Sequence, residues 1–319
     1  MQQRGLAVVG ILASALAGAA LAIGCGLTVT GQLESSSGGL AEAGSESGPL
    51  DGSSSSSSSG GITDGSADGD ANDPDSSIVF LGDAGGRTTR GLVALYPMRE
   101  TSGNIVHDTE GTVRLDLGRV AGALDMRWDP LGLTFFGNGS EVSSPVAFPT
   151  KITTECKTQN EVSAEAWVTP ATAAQVGPAR ILSLSNGIAT QSIMLGIGDD
   201  GSQTNVRARW VARVQNDYRA IFESPDDTVT AALHHVVVTA KMGAPLRMFV
   251  DNVELTNGRG NVTVDNDFSD WMNSNSFRLG GELGTLDRRF KGTISLIAIY
   301  CVELTLAEID ANFTAGARP

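Results

Sequence analysis

From about residue 78 the chain breaks into short apolar runs separated by Gly, Asn, Asp and Ser. "SIVFLG", "GLVALYPM", "GLTFFGNGS", "VSAEAWVTP", "ARILSLSNG", "QSIMLGIGDDG", "VRARWVARV", "LHHVVVTA", "LRMFVDNVEL", "FRLGGE" and "GTISLIAIYCV" are of strand length, and several alternate apolar with polar positions. That alternation is the mark of a strand with two unlike faces. "RMFVDNVEL" places Asp251-Asn252 between two runs, which predicts a tight hairpin. Only "TLAEIDANFTAG" reads as a helix, with Thr305 as N-cap and Glu308 three residues on. Ten or more short strands with frequent turns predict an all-β chain folded as a two-sheet antiparallel sandwich.

The first 77 residues follow a different pattern. An apolar stretch from Leu6 to Ile23 ends at Cys25, after which Ser, Gly and Asp dominate to Ser77. The length alone permits a membrane span, but the wealth of Ala and Gly lowers its hydrophobicity and favours a secretory signal. "LAIGC" resembles the lipobox of bacterial lipoproteins, with Ala22 where Leu is usual. The resemblance implies a signal peptide over residues 1–24, acylation of Cys25, and anchoring at the outer membrane or cell surface of a bacterium. Residues 25–77 then form a tether too poor in apolar side chains to fold. Its coil dimension is about 40 Å. Asp68, Asp70, Asn72 and Asp75 have the odd-position spacing of a calcium loop, but Asp73 stands at the turn glycine and Val79 at the closing Glu.

A second resemblance covers residues 88–317. "GLVALYPMRETSGNIVHDT", "SAEAWVTP", "LHHVVVTAKMGAPLRMFVDNVEL" and "FKGTISLIAIYCVELTLAEIDANFTAG" resemble, in order, the signature segments of LamG-like jelly-roll domains of bacterial surface proteins. This implies a concanavalin A-like sandwich, of the laminin G and pentraxin kind, over residues 78–319. The chain departs from the pattern at Leu233, where Trp is usual, at Asn252, where the hairpin has Gly, and at Ser295, where many relatives carry Asp.

Charge narrows the partners. Nine Asp/Glu against Arg4 leave −8 on residues 1–77, and the rest of the net −14 falls on residues 78–319. An acidic chain without a basic stripe argues against nucleic acid and against anionic lipid as partners. The membrane is reached through the lipid anchor instead.

Catalytic chemistry finds little support. Glycosidases on this sandwich carry Glu-x-Asp-x-x-Glu, and the nearest match, "EIDANF", ends on Phe313. Glu161 and Glu165 share a strand face at about 13 Å, too far for a retaining pair at about 5–5.5 Å. The expectation is therefore not an enzyme but a binding module for an extracellular glycan or protein. A structural or adhesive envelope protein is the alternative, followed by a degenerate glycoside hydrolase.

Trp128, Trp210 and Trp271 lie near turns or strand ends and are the candidates to stack on a sugar, although aromatics make up only 5% of the chain. Core packing is the competing role for each, and for Trp167. No cofactor is implied by the residues, calcium excepted: laminin G modules and pentraxins often hold it through oxygen ligands. Asp265, Asp267 and Asp270 form one candidate cluster and Asp199 and Asp200 another, and both read equally well as exposed turns. His234 and His235 face opposite sides of a strand and cannot share a metal. With Cys25 lipidated, Cys156 and Cys301 remain in an exported domain whose early and late strands share a sheet, so a disulfide is expected, with two buried thiols as the alternative.

The anchor reading predicts that mass spectrometry of the native N-terminus finds a chain beginning at Cys25 and bearing acyl groups. An unmodified Cys25, or a start elsewhere, contradicts it.

Overall fold

The computed structural model describes residues 86–317, except 121–125, 146–148, 188–189, 200–205, 216–219, 261 and 285–287. The signal segment, Cys25, the tether, its calcium-like spacing and the run beginning at Ser77 lie outside the described residues.

Eighteen strands and two helices follow one another among the described residues. They are β1 (Leu92–Tyr96), β2 (Ile105–Val106), β3 (Leu117–Arg119), β4 (Met126–Asp129), β5 (Gly132–Phe136), β6 (Val142–Ser143), α1 (Thr150–Gln159) and β7 (Glu161–Pro170). Next come β8 (Gln175–Val176), β9 (Ala179–Ser185), β10 (Gln191–Ile197), β11 (Val206–Arg207), β12 (Trp210–Val214) and β13 (Ala220–Glu223). The chain closes with β14 (His234–Lys241), β15 (Arg247–Val250), β16 (Val253–Glu254), β17 (Ser276–Leu279), β18 (Lys291–Tyr300) and α2 (Leu306–Ala315).

Two antiparallel sheets make the sandwich. Sheet A runs β16-β15-β14-β7-β18-β5-β4, and β1 takes up the second half of β18 beside β5. Sheet B runs β13-β12-β10-β9-β17-β6-β3-β2. A small pair, β8 with β11, stands apart.

The sequence alternation sets which side chains meet. Val162, Ala164, Ala166 and Val168 of β7 point into the core between the sheets, as do Val236 and Val238 of β14. Tyr96 stacks on Phe277 across this core at 5.8 Å between ring centroids. The other face of sheet A is also buried: Trp167, Val237, Leu296, Ala298 and Tyr300 pack under α2 with Ile309 and Phe313. Strands covered on both faces lose their polar positions to packing or to buried hydrogen bonds. The β7–β18 register shifts between Ile294 and Leu296, which places Ser295 at an irregularity of the ladder.

The Asp251-Asn252 turn is present, with both residues at positive φ (51° and 65°), as a two-residue hairpin joining right-twisted strands requires. The Thr305–Glu308 capping box at the start of α2 is also present. Two expectations need correction. "VRARWVARV" is not one strand, because β11 leaves sheet B to pair with β8. The segment before β7 is helical: α1 carries "TKITTECKTQ", whose β-branched residues hide its helical character. Its stop is conventional, with Asn160 in the left-handed region as C-cap.

Cys156 on α1 and Cys301 just after β18 form a disulfide, with Cα atoms 4.4 Å apart at a sequence separation of 145. It pins α1 to the end of the central strand of sheet A. Restricting so long a loop in the unfolded chain stabilises the domain by about 2–5 kcal/mol. Cys156→Ser with Cys301→Ser, or reduction, is expected to lower the melting temperature by about 4–20 °C, taking about 2–4 °C per kcal/mol for a domain of this size. An unchanged melting curve after complete reduction would contradict this.

Candidate functional site

The β4–β5 hairpin lies at the edge of sheet A, and β4 is its outermost strand. Trp128 in β4 packs partly on the inter-sheet core, and its indole N–H donates to the Gly103 carbonyl at 3.1 Å. The ring therefore stands at the rim of the sandwich, bonded to the turn that follows β1. That turn is fixed in its own right: Met98 adopts positive φ (48°), and Glu100 Oε1 accepts from the His107 backbone N–H at 2.7 Å.

A cleft of about 680 Å³ opens between the two elements. Met98, Arg99 and Glu100 form one wall and Trp128, Asp129 and Pro130 the other. Hydrogen bonds from Thr134, first, and from Arg127 hold the Asp129 carboxyl below its ordinary value. An apolar ring beside charged groups of both signs, in a concave setting of this size, is the make-up of a small-ligand site.

Of the three candidate tryptophans, only Trp128 stands in a cleft. Trp210 and Trp271 are 0% exposed, which overturns their assignment to ligand binding. Trp210 packs edge-on against His234 in the core and donates to the Thr228 carbonyl, and Trp271 stacks flat on Phe268 at 4.7 Å. Their nearness to strand ends reflects loops folding over them, which sequence position alone does not reveal.

The acidic clusters do not converge. Asp265, Asp267 and Asp270 are exposed, and Asp267 is engaged by the Ser269 hydroxyl at 2.6 Å. Asp199 lies 4.0 Å from Arg207, and Asp200 is outside the described residues. Among the described residues no group of three or more His, Cys, Asp and Glu side chains is placed to hold a metal ion.

The histidines part as their adjacency requires. His234 is clamped between Asp251 Oδ2 and Thr230 Oγ1, each at 2.8 Å. His235 points the other way, into a buried polar cluster around Glu165. This carboxylate accepts from Arg87, from His235 Nε2 (3.0 Å) and Trp167 Nε1 (3.1 Å) on one oxygen. The other oxygen accepts from Tyr300 Oη (3.1 Å) and Asn312 Nδ2 (2.8 Å). Burial alone would push the Glu165 carboxyl up, but Arg87 and His235 hold it down to about 2. Glu161, four residues earlier, pairs with Lys241 and accepts from the Glu303 backbone N–H. The two carboxylates are thus engaged with separate partners. Arg87 gave no sequence signal, because it stands alone before the first strand.

Two antiparallel sheets packed face to face, with this strand order, define a concanavalin A-like β-sandwich domain. The sequence model of the Concanavalin A-like lectin/glucanases superfamily matches residues 136–310, and the chain belongs to this family. Among solved structures, the botulinum neurotoxin serotype C1 binding domain is similar at a TM-score of 0.50 and 12% identity, over 70% of this chain and 52% of that one. Trypanosoma rangeli sialidase is similar at 0.47 and 19% identity, over 72% of this chain and 33% of the sialidase. The chain thus spans about a third of the sialidase, and these likenesses show the fold alone. No curated protein matches the chain.

The Glu165 cluster generates a prediction in two parts. The folded-state value near 2 lies below the ordinary 4.5 of the unfolded chain. The stabilisation it gives is therefore full above pH 4.5 and is lost as the pH falls toward 2. Glu165→Gln leaves the Arg87 charge buried without its partner, which is expected to cost about 3–5 kcal/mol at neutral pH. The variant should also flatten the fall in stability over the acid range. Urea unfolding across a pH series measures both.

Proposed function

We propose that the chain is a lipid-anchored, extracytoplasmic binding module that holds a glycan, without catalysing its cleavage, through the cleft at Trp128. The observation that carries this reading is the half-exposed indole set in a concave rim beside Arg99, Glu100 and Asp129. Family membership supports it, since the superfamily is defined by lectins and glucanases. The disulfide, the resemblance to a lipobox and the Ser/Gly/Asp composition of residues 26–77 support export and anchoring at the outer membrane or cell surface. In this reading the domain boundaries follow the sequence: signal 1–24, anchor and tether 25–77, sandwich 78–319.

Two buried carboxylates of sheet A and α2 are held in structural roles away from the cleft. Glu165 is enclosed by five donors under α2, and Glu308 is held by Arg90 and by its own capping box. Neither faces the Trp128 cleft.

A glycan array probed with the full chain tests the reading. Positive glycans are expected to lose about tenfold or more in affinity for Trp128→Ala, since stacking on one ring contributes about 1–3 kcal/mol in comparable aromatic sites. The melting temperature should change little, because the ring is only partly buried. A set of bound glycans indifferent to Trp128→Ala would place the site elsewhere, and an array with no positives would favour a purely structural envelope protein.

A further inference from the structure

Sheet B has a second face, turned away from the core. Phe277 and Leu279 of β17, Val142 of β6, Leu117 of β3 and Val106 of β2 all point into the core. Their neighbours in each strand therefore point outward. The register aligns these neighbours in one rung: Ser183 pairs with Arg278, Arg278 with Ser143, Ser143 with Gly118, and Gly118 with Ile105. At the β2 end of this rung Ile105, Gly118, Ser143 and Arg278 line a cleft of about 480 Å³, with Val120 and Pro145 on its walls.

The charge under this cleft is unbalanced. Glu141 Oε1 accepts from Arg278 Nη1 at 2.7 Å, while Glu141 Oε2 is taken by Arg289. All three side chains are less than a tenth exposed. Two guanidiniums thus share one carboxylate, and the trio carries one net positive charge in a setting where isolated charge is costly. Arg278 Nε donates to Ser276 Oγ at 2.9 Å, so two of its three nitrogens are engaged. Nη2 has no partner among the described residues, and Arg278 lines the cleft. The carboxylate on the cleft wall, Asp116, is already engaged by His107 Nδ1 and by the Asp108 backbone N–H, each at 2.9 Å. Gly118 gives the floor its depth: a Cβ there would meet nothing within 4 Å.

A third, smaller cavity relates this cleft to the one at Trp128. Arg119 lines it and lines a small cavity of about 30 Å³ as well, and Trp128 lines both that cavity and the 680 Å³ cleft.

We propose that this outer-face cleft is an acidic-sugar subsite, in which Arg278 Nη2 receives the carboxylate of a uronic acid residue belonging to the glycan held at Trp128. The proposal rests on the glycan reading of that neighbouring cleft. A single carboxylate adds negative charge beside a trio that carries more positive than negative charge, which the buried Glu282 offsets only in part, and it bonds a guanidinium in its own plane. Ile105, Val120 and Pro145 present apolar surface to the C–H faces of a pyranose ring, and the Ser143 hydroxyl, which donates to the Ser144 carbonyl, keeps its oxygen as an acceptor. A peptide fits the floor less well, because β3, β6 and β17 are interior strands whose backbone edges are already paired.

Calorimetric titration of the full chain with trimers of galacturonic acid and of glucuronic acid, each as the free acid and as its methyl ester, tests the subsite. At least one acid is expected to bind about tenfold or more tightly than its ester, the range for one charge-assisted hydrogen bond. Arg278→Gln should abolish that preference. Gly118→Leu fills the cleft at a residue with no positive φ and should weaken the acid, which covers the case where Arg278→Gln fails to fold. Trp128→Ala should weaken acid and ester alike. If acid and ester bind equally while Trp128→Ala weakens both, the subsite is wrong and the glycan reading stands. If none of the four probes binds, the subsite is overturned, and the glycan reading is decided by the array.

Discussion

The Glu165 carboxylate is the constraint on which the architecture turns. It is fully buried on a central strand and takes donors from the segment before β1, from β7 itself, from β14, from β18 and from α2. A charge in that position is tolerable only while these donors stay in place. Arg87 supplies the opposite charge and donates in turn to the Gly316 carbonyl, so both ends of the described domain close on the same carboxylate. Asn312 bonds Tyr300 as well as Glu165, and its own oxygen accepts from the Thr88 backbone N–H. The helix, the first strand and the sheet are therefore one cooperative unit, and β7, β14 and β18 tolerate little change in register.

The site readings separate along the same line. A buried carboxylate with five donors is a structural element, held ionised and shielded from substrate. The rim of the sandwich behaves otherwise: at Trp128 and at Arg278 partly satisfied groups meet open space. Sheet A spends its second face on packing α2. Sheet B keeps polar and charged residues on its outer face, where Ser183, Arg213 and Arg278 are themselves buried, and its β2 end opens on a cleft.

Much of the fold was legible from residue patterns. Alternation in "VSAEAWV" and "HHVVVTA" reported the inner face of each strand, and the opposite placement of His234 and His235 followed from their adjacency. The hairpin at Asp251-Asn252 and the Thr305 cap were readable because each rests on a local backbone requirement. What failed depended on distant chain. Helix α1 is held by Ile152 packing and by Cys156 bonded to Cys301, both contributed from far along the sequence, so its β-branched composition misled. Trp210 and Trp271 have the right chemistry for a sugar site, but which side of a loop they occupy is decided by the loops that bury them. Arg278 stood in plain view inside an apolar strand, "SFRL", and only the register with Ser143 and Gly118 gives it a cleft to face.

The placement of β18 has a consequence for how the chain is made. This strand lies in the middle of sheet A, between β7 on one side and β5 and β1 on the other, yet it follows every other described strand in the sequence. A nascent chain that stops short of Lys291 exposes unpaired edges on β7, β5 and β1 at once, with the apolar faces of half a sandwich beside them. Sheet A cannot assemble progressively from its N-terminal side. It must wait until Lys291–Tyr300 has been made and then close by inserting its central element, a non-local step that makes folding slow and leaves a chain still lacking that strand prone to aggregation.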